Sequence, residues 1–230
     1  PEPIVFNNKV LLIKHPSEAI NASQRDRARE LIRNYRTLPR RVEFADDRLF
    51  AFGKTSIRFS PAVPHGPDTT VGWVVEASIR EGSSCFLYSS DIVGACRDEH
   101  MQFILSEEPD TLYLDGPLTY MLGQGFSLDD LRTSIGNINR LLEMPKLRTL
   151  ILDHHLLRDR NWKDELREVH AKADAVGIKV VTMAGFLGRE EVLLEARRGQ
   201  LFEEHRDQEQ EPLMRSSTFQ LVKELKKERR

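Results

Sequence analysis

The sequence predicts a mixed α/β protein, and three observations carry that prediction. The first half holds short alternating runs broken by turn residues, as in antiparallel strands. The second half alternates apolar strands with helices of 3.6-residue period. Three of the apolar runs also stop abruptly at a histidine or a carboxylate: His65, Asp91 and His154.

In chain order, Lys9–Lys14 (KVLLIK) reads as a buried strand closed by His15-Pro16. Ser23–Leu38 reads as a helix, because Ala28, Leu31, Ile32 and Tyr35 make an i, i+3, i+4, i+7 stripe that Asn21 or Ser23 can cap. Its arginines (Arg25, Arg27, Arg29, Arg33 and Arg36, then Arg40 and Arg41) make one basic face, expected to be solvated. RVEF, RLFAF and SIRF, within Arg41–Phe59, are expected as successive antiparallel strands around Asp46-Asp47 and Gly53-Lys54. Gly72–Ile79 and Ser84–Ser89 should form a hairpin through Glu81-Gly82. From Met101 onward DTLYLD reads as a strand, Leu128–Met144 as a helix, Leu147–Leu152 as a strand, Trp162–Ala175 as a helix and Ile178–Met183 as a strand. Gly188–Arg230 is heavily charged, and a helix to about Glu204, a solvated break and a short last helix ending in KELKKERR are expected there.

Composition narrows the function classes. Apolar residues are 40%, charged residues 30% and the formal net charge is −2, so no global basic bias favours nucleic acid. No basic stripe with interleaved aromatics is present either, which leaves nucleic-acid processing unsupported. Cys85 and Cys96 have no CxxC spacing, which fits a reducing cytoplasm. No apolar run reaches the roughly eighteen residues that a membrane helix needs.

The strand ends concentrate the chemistry. IRFSPAVPHG puts His65 past one strand, CFLYSSD puts Asp91 past another, and LRTLILDHH puts His154 and His155 past a third. Singly, each has a plain reading: a turn residue, a helix cap, an exposed imidazole. Jointly, two imidazoles and a carboxylate are a donor set that suits zinc, and an α/β sheet gathers strand ends at one edge.

The series FGKTSIRFSPAVPHGPD, GWVVEASI, FLYSSDIVG, LYLDGPLTYMLG and LILDHHLLRDRNW resembles the metallo-β-lactamase superfamily, in particular a largely archaeal branch of predicted metal-dependent hydrolases. The similarity runs from Lys9 to about Arg198. It implies an αββα sandwich with a dinuclear metal site at one edge of its two sheets. It also implies a domain over 1-198 and leaves 199-230 as a charged helical tail. By that resemblance His65, Asp91 and His154 are metal ligands, with Asp91 bridging two cations and His155 standing beside His154 as an alternative. Asp91, His154, His155 and Tyr120 are the implied catalytic residues. Asp115 and Thr119, with Tyr120, fall where relatives place a loop over the metals. Arg158 is a candidate for an anionic substrate, since guanidinium pairs bidentately with carboxylate or phosphate; its plain reading is a surface arginine.

The implied activity is hydrolysis of a small molecule by metal-activated water, with zinc as the expected metal and manganese or iron as tolerated replacements. The superfamily's HxHxDH motif does not occur in these 230 residues, and the chain starts at Pro1. The expectation is therefore a domain incomplete at its N-terminus. The rival is a catalytically inactive binding or scaffold protein of the same fold. The DHH phosphoesterases share only the letters Asp153-His154-His155. This chain alone is expected to turn over phosphodiesters and lactones poorly, and a chain extended upstream to turn them over well. Robust turnover by the 230 residues would contradict that.

Overall fold

The computed structural model describes residues 9–35 and 41–206. A seven-stranded mixed sheet organises them, in the order β11-β10-β9-β8-β7-β4-β3. The strands β3 (Leu49–Phe52), β4 (Thr55–Phe59), β7 (Ala77–Glu81) and β8 (Ser84–Tyr88) form an antiparallel meander. From β8 the sheet continues parallel through β9 (Thr111–Asp115), β10 (Thr149–Asp153) and β11 (Lys179–Val181). Parallel neighbours need crossovers, and helices supply them. They are α2 (Asp98–Glu107), α3 (Leu128–Leu141) and the pair α4 (Trp162–Glu165) and α5 (Arg167–Val176).

Alternation along the strands decides which face is covered. Leu87, Leu112, Leu114, Leu150 and Leu152 share one face and are completely buried against Met101, Ile104, Ile138, Leu141 and Val169 of the helices. Truncating one of these leucines to alanine costs about 2–5 kcal/mol. The opposite face carries Phe86, Tyr88 and Tyr113, which stay partly exposed, with Tyr88 and Tyr113 in contact at 5.2 Å between ring centres. Among the described residues it is closed toward β10 and β11, where Ile151 is buried and the short helix α6 (Met183–Phe186) lies against both strands.

Several elements differ from expectation for identifiable reasons. RVEF is not part of the meander: β2 (Arg41–Phe44) pairs in parallel with β1 (Val10–Ile13) in a separate two-stranded sheet. The expected strand Gly72–Ile79 is two strands. β6 (Trp73–Val74) pairs with β5 (Val63–Pro64), and only β7 joins the main sheet. The expected helix Trp162–Ala175 breaks at Leu166, which is completely buried. Ile178–Met183 is cut short because Thr182 turns to cap α6, accepting from the Gly185 N–H at 3.1 Å. α3 begins at a capping box of Ser127 and Asp130 and ends at Leu141. Helix α1 (Ala22–Tyr35) follows Asn21, whose side chain accepts from the Gln24 N–H. Its expected end at Leu38 lies outside the described residues. The expected helix from Gly188 to about Glu204 forms only over its last part, α7 (Arg198–Glu204), after a 3-10 turn at Glu195–Arg197, while the expected last helix and KELKKERR lie outside the described residues.

The break between β6 and β7 buries a carboxyl group. Glu76 has no exposed surface, exchanges main-chain and hydroxyl bonds with Ser60, and its side-chain oxygens have no hydrogen-bond partner among the described residues. Burial pushes this carboxyl well above its ordinary value of 4.5. Below the ordinary value, folded and unfolded chains both hold the proton. Above it the unfolded chain releases the proton while the folded chain keeps it, so stability falls as pH rises, by at most about 1.4 kcal/mol per pH unit. Glu76→Gln removes that slope. The melting-temperature advantage of the variant over the wild type should widen between about pH 5 and about pH 8, as calorimetry would show. A constant difference would mean that Glu76 ionises normally in the fold.

Candidate metal centre

The carboxyl ends of β8, β9 and β10 lie side by side, with Asp115 and Asp153 in register. Each strand hands its next residues to one edge of the sheet, where open α/β sheets bind ligands. Asp91 follows β8, Asp115 closes β9, and Asp153-His154-His155 closes β10. His65 arrives from outside the main sheet, on the turn after β5. There its N–H bonds to the Gly72 carbonyl at 2.9 Å, and Pro64 is tied to the His100 imidazole through its carbonyl, also at 2.9 Å.

These donors come together. The ligand atoms of Asp115, His154 and His155 all lie within 4.8 Å of one another. The His154 and His155 rings meet edge to face at 4.3 Å, and the His65 ring centre lies 5.9 Å from that of His155. His154 Nε2 is 3.7 Å from Asp91 Oδ1. Positions 65, 91 and 154, far apart in the chain, thus face one space. Burial pulls the His65 imidazole below its ordinary value of 6.5, against an opposing pull from the Asp91 carboxylate. His65 is therefore neutral at neutral pH and keeps a lone pair free for an electrophile.

The most constrained member is Asp115, which is 1% exposed. Its Oδ2 accepts the Val93 N–H at 2.9 Å and its Oδ1 the His155 N–H at 3.2 Å. His155 Nδ1 lies 2.9 Å from both oxygens. A buried carboxylate acts only as an acceptor, so Nδ1 carries the proton and Nε2 keeps the lone pair. The resemblance implies Asp115, Thr119 and Arg158 as substrate-facing residues. In the structure Asp115 is buried at the end of β9 and Thr119 is 6% exposed. Tyr120 is at the surface, where its hydroxyl accepts from Arg158 Nη1 at 2.9 Å and its ring lies 5.6 Å from the guanidinium carbon.

Backbone strain concentrates here too. Of seven non-glycine residues with positive φ among the described residues, four are Ser90, Val93, Ala95 and His154. Such conformations cost about 1–3 kcal/mol each and persist where surroundings over-determine them; for a β-branched residue such as Val93 they are rare. Two close approaches do part of this. A Cβ on Gly94 would fall 2.8 Å from the Pro117 nitrogen, and one on Gly116 would fall 2.5 Å from Leu156 Cβ. Sequence reading missed Asp115 and Asp153 as anchors, although LYLD and LILD end on the same residue type.

No family model matches the chain. Its relatives in sequence are archaeal UPF0282 proteins. That of Saccharolobus solfataricus is 40% identical over 201 residues, covering 87% of this chain and 65% of the relative. That of Metallosphaera sedula is 39% identical over 199 residues, covering 86% and 64%. The chain therefore spans just under two thirds of the length of these curated relatives. Among solved structures it is similar to the metallo-β-lactamase fold protein YhfI of Bacillus subtilis, at 20% identity and a TM-score of 0.42 over 75% of this chain and 61% of that one. It is also similar to CmlA, a diiron β-hydroxylase of Streptomyces venezuelae, at 11% identity and a TM-score of 0.42 over 76% and 43%. No helix among the described residues is long and apolar enough to cross a membrane.

Replacing Asp115 by Ala leaves the Val93 and His155 donors facing an apolar methyl in a buried setting, a loss of about 1–3 kcal/mol. Asp115→Asn keeps one acceptor oxygen and should lose less. Urea denaturation of both variants measures the difference, and equal stability of Ala and wild type would remove Asp115 from the role of anchor.

Proposed function

We propose that this chain carries the metal centre of a metal-dependent hydrolase, with His65, Asp91, His154 and His155 as donors and Asp115 as the residue that orients His155. The observation that supports the reading most is the Asp115–His155 pair. A buried carboxylate holds Nδ1 and leaves Nε2 as the free donor, which is how metal-binding imidazoles are commonly oriented. The donor set of imidazole nitrogens and one partly exposed carboxylate fits a divalent cation. Zinc is the first choice, and manganese or iron accept similar ligands. Asp115 also lies among the close donors, but its oxygens already accept from Val93 and His155, so orientation suits it better than ligation.

A bound zinc ion supplies activation of water, lowering its pKa toward ~7. The chain's own residues do the rest. Neutral His65 offers its lone pair, and Asp91 sets a negative charge against His154. Arg158, whose N–H bonds the His155 carbonyl and whose guanidinium lies against Tyr120, is the residue we assign to an anionic small-molecule substrate such as a phosphate or carboxylate ester. The Tyr120 hydroxyl accepts from Arg158, so its own proton is left to donate to a substrate oxygen. Because the chain spans 65% of its relative's length, the activity of the whole protein belongs to this proposal.

Zinc titration of the chain against a chromophoric chelator, with metal analysis after dialysis, tests the reading. One retained equivalent is expected. His155→Ala and Asp91→Ala should each lower affinity by at least about tenfold, the scale of even an outer-shell loss. A chain that retains no metal, or variants that bind as well as wild type, would end it. The loaded protein is then offered phosphodiesters, lactones and thioesters. Because the chain spans 65% of its relative's length, the same assay on a chain extended upstream is what separates the hydrolase from the binding or scaffold role: turnover by the extended chain supports the first, and metal retention without turnover there supports the second.

A further inference from the structure

In an extended strand successive side chains point to opposite faces. His154 and His155 follow β10 directly, yet their rings are in contact at 4.3 Å and serve one space. The chain manages this by leaving the strand through a left-handed residue: His154 has φ +59°. Only a few per cent of non-glycine residues take that conformation, although histidine is among those that do so more often, and local hydrogen bonds select it here. Asp153 is placed to hold it with both carboxylate oxygens. Oδ1 accepts the N–H of His154 itself at 2.7 Å, and Oδ2 accepts the N–H of Met183, the first residue of α6, at 2.8 Å. The Asp153 carbonyl takes the Gly116 N–H at 3.1 Å, locking the same corner to the residue after Asp115. From there the His154 carbonyl accepts the Leu157 N–H at 3.3 Å, and the chain winds into a 3-10 turn, Leu156–Arg158.

We infer that Asp153 is a positioning residue, which holds His154 in the left-handed conformation that aims its imidazole at Asp91 and so lets two consecutive histidines face one site. It reaches no ligand itself and acts through the His154 backbone, with the N-terminus of α6 as its fixed point. The functional side of this inference rests on the metal-centre reading above; the conformational side does not.

Two measurements test it, and they fail separately. In the first, crystal structures of metal-free wild type and Asp153→Asn are compared. The amide keeps one acceptor oxygen and turns an NH2 toward the second N–H, so His154 is expected to leave the left-handed region and its ring to move away from Asp91. A variant with His154 still at positive φ and still beside Asp91 would overturn the inference whatever the metal does. Should Asp153→Asn fail to fold, glycine at the strained position is expected to rescue it as Asp153→Asn/His154→Gly, since glycine takes positive φ freely; no rescue would count against the inference. In the second measurement, zinc affinity of Asp153→Asn should fall about 10- to 100-fold. In a His154→Ala background the same substitution should change affinity no further. A loss carried equally into that background would show a general structural role and overturn the positioning one. Wild type that binds no zinc would defeat the metal-centre reading, while the metal-free structures would still decide Asp153.

Discussion

One buried carboxylate fixes the geometry on which the rest of the site depends. Asp115 sits at the end of a central parallel strand with almost no exposed surface, and its oxygens are shared between the loop after β8 and the turn after β10. A carboxylate in such a place is tolerated only when hydrogen bonds replace its water. Here those bonds come from two other strand ends, so Asp115 is satisfied only when all three are in place. Burial of one group and ordering of the edge are the same event. The close packing of Gly94 on Pro117 and of Gly116 on Leu156 works in the same direction, allowing the three loops to touch without intervening side chains.

His65 joins this arrangement by a different route. It stands on a two-stranded ribbon beside the main sheet, and the ribbon is tied down by His100, whose imidazole is pushed to about 4 by burial and stays neutral near its Pro64 partner. A neutral His65 imidazole at the edge and carboxylates along it leave little positive charge there to repel a cation. The strained backbone of Ser90, Val93, Ala95 and His154 lies where those groups must be aimed. Strained backbone and buried polar groups coincide at one edge of the fold, around the histidine pair.

What the sequence made legible follows from what is local. LYLD, LILD and SCFLY announce their strands because buried parallel strands are continuous apolar runs, and the ends of those runs marked Asp91, His154 and His155. Pairing is not local, so RVEF carried no sign that its partner is KVLLIK in parallel rather than the next run in antiparallel order. GWVVEASI looks like one alternating strand. Its break at Glu76 depends on a bond to Ser60 that no window of eight residues contains. The roles of Asp115 and Asp153 were hidden for the same reason. Sequence reading ties Asp115 only to a loop over the site and gives Asp153 no role, until the register sets them side by side and the neighbouring loops supply N–H groups.

The partly exposed aromatic face of the sheet has a practical consequence. Among the described residues Phe86, Tyr88 and Tyr113 leave aromatic surface partly exposed in the folded state. Fluorescent probes that light up on greasy surfaces will adsorb to the native molecule as well as to the unfolded one. Melting curves read with such dyes start bright and understate the cooperativity of the transition, so circular dichroism or calorimetry is the sounder monitor for this chain.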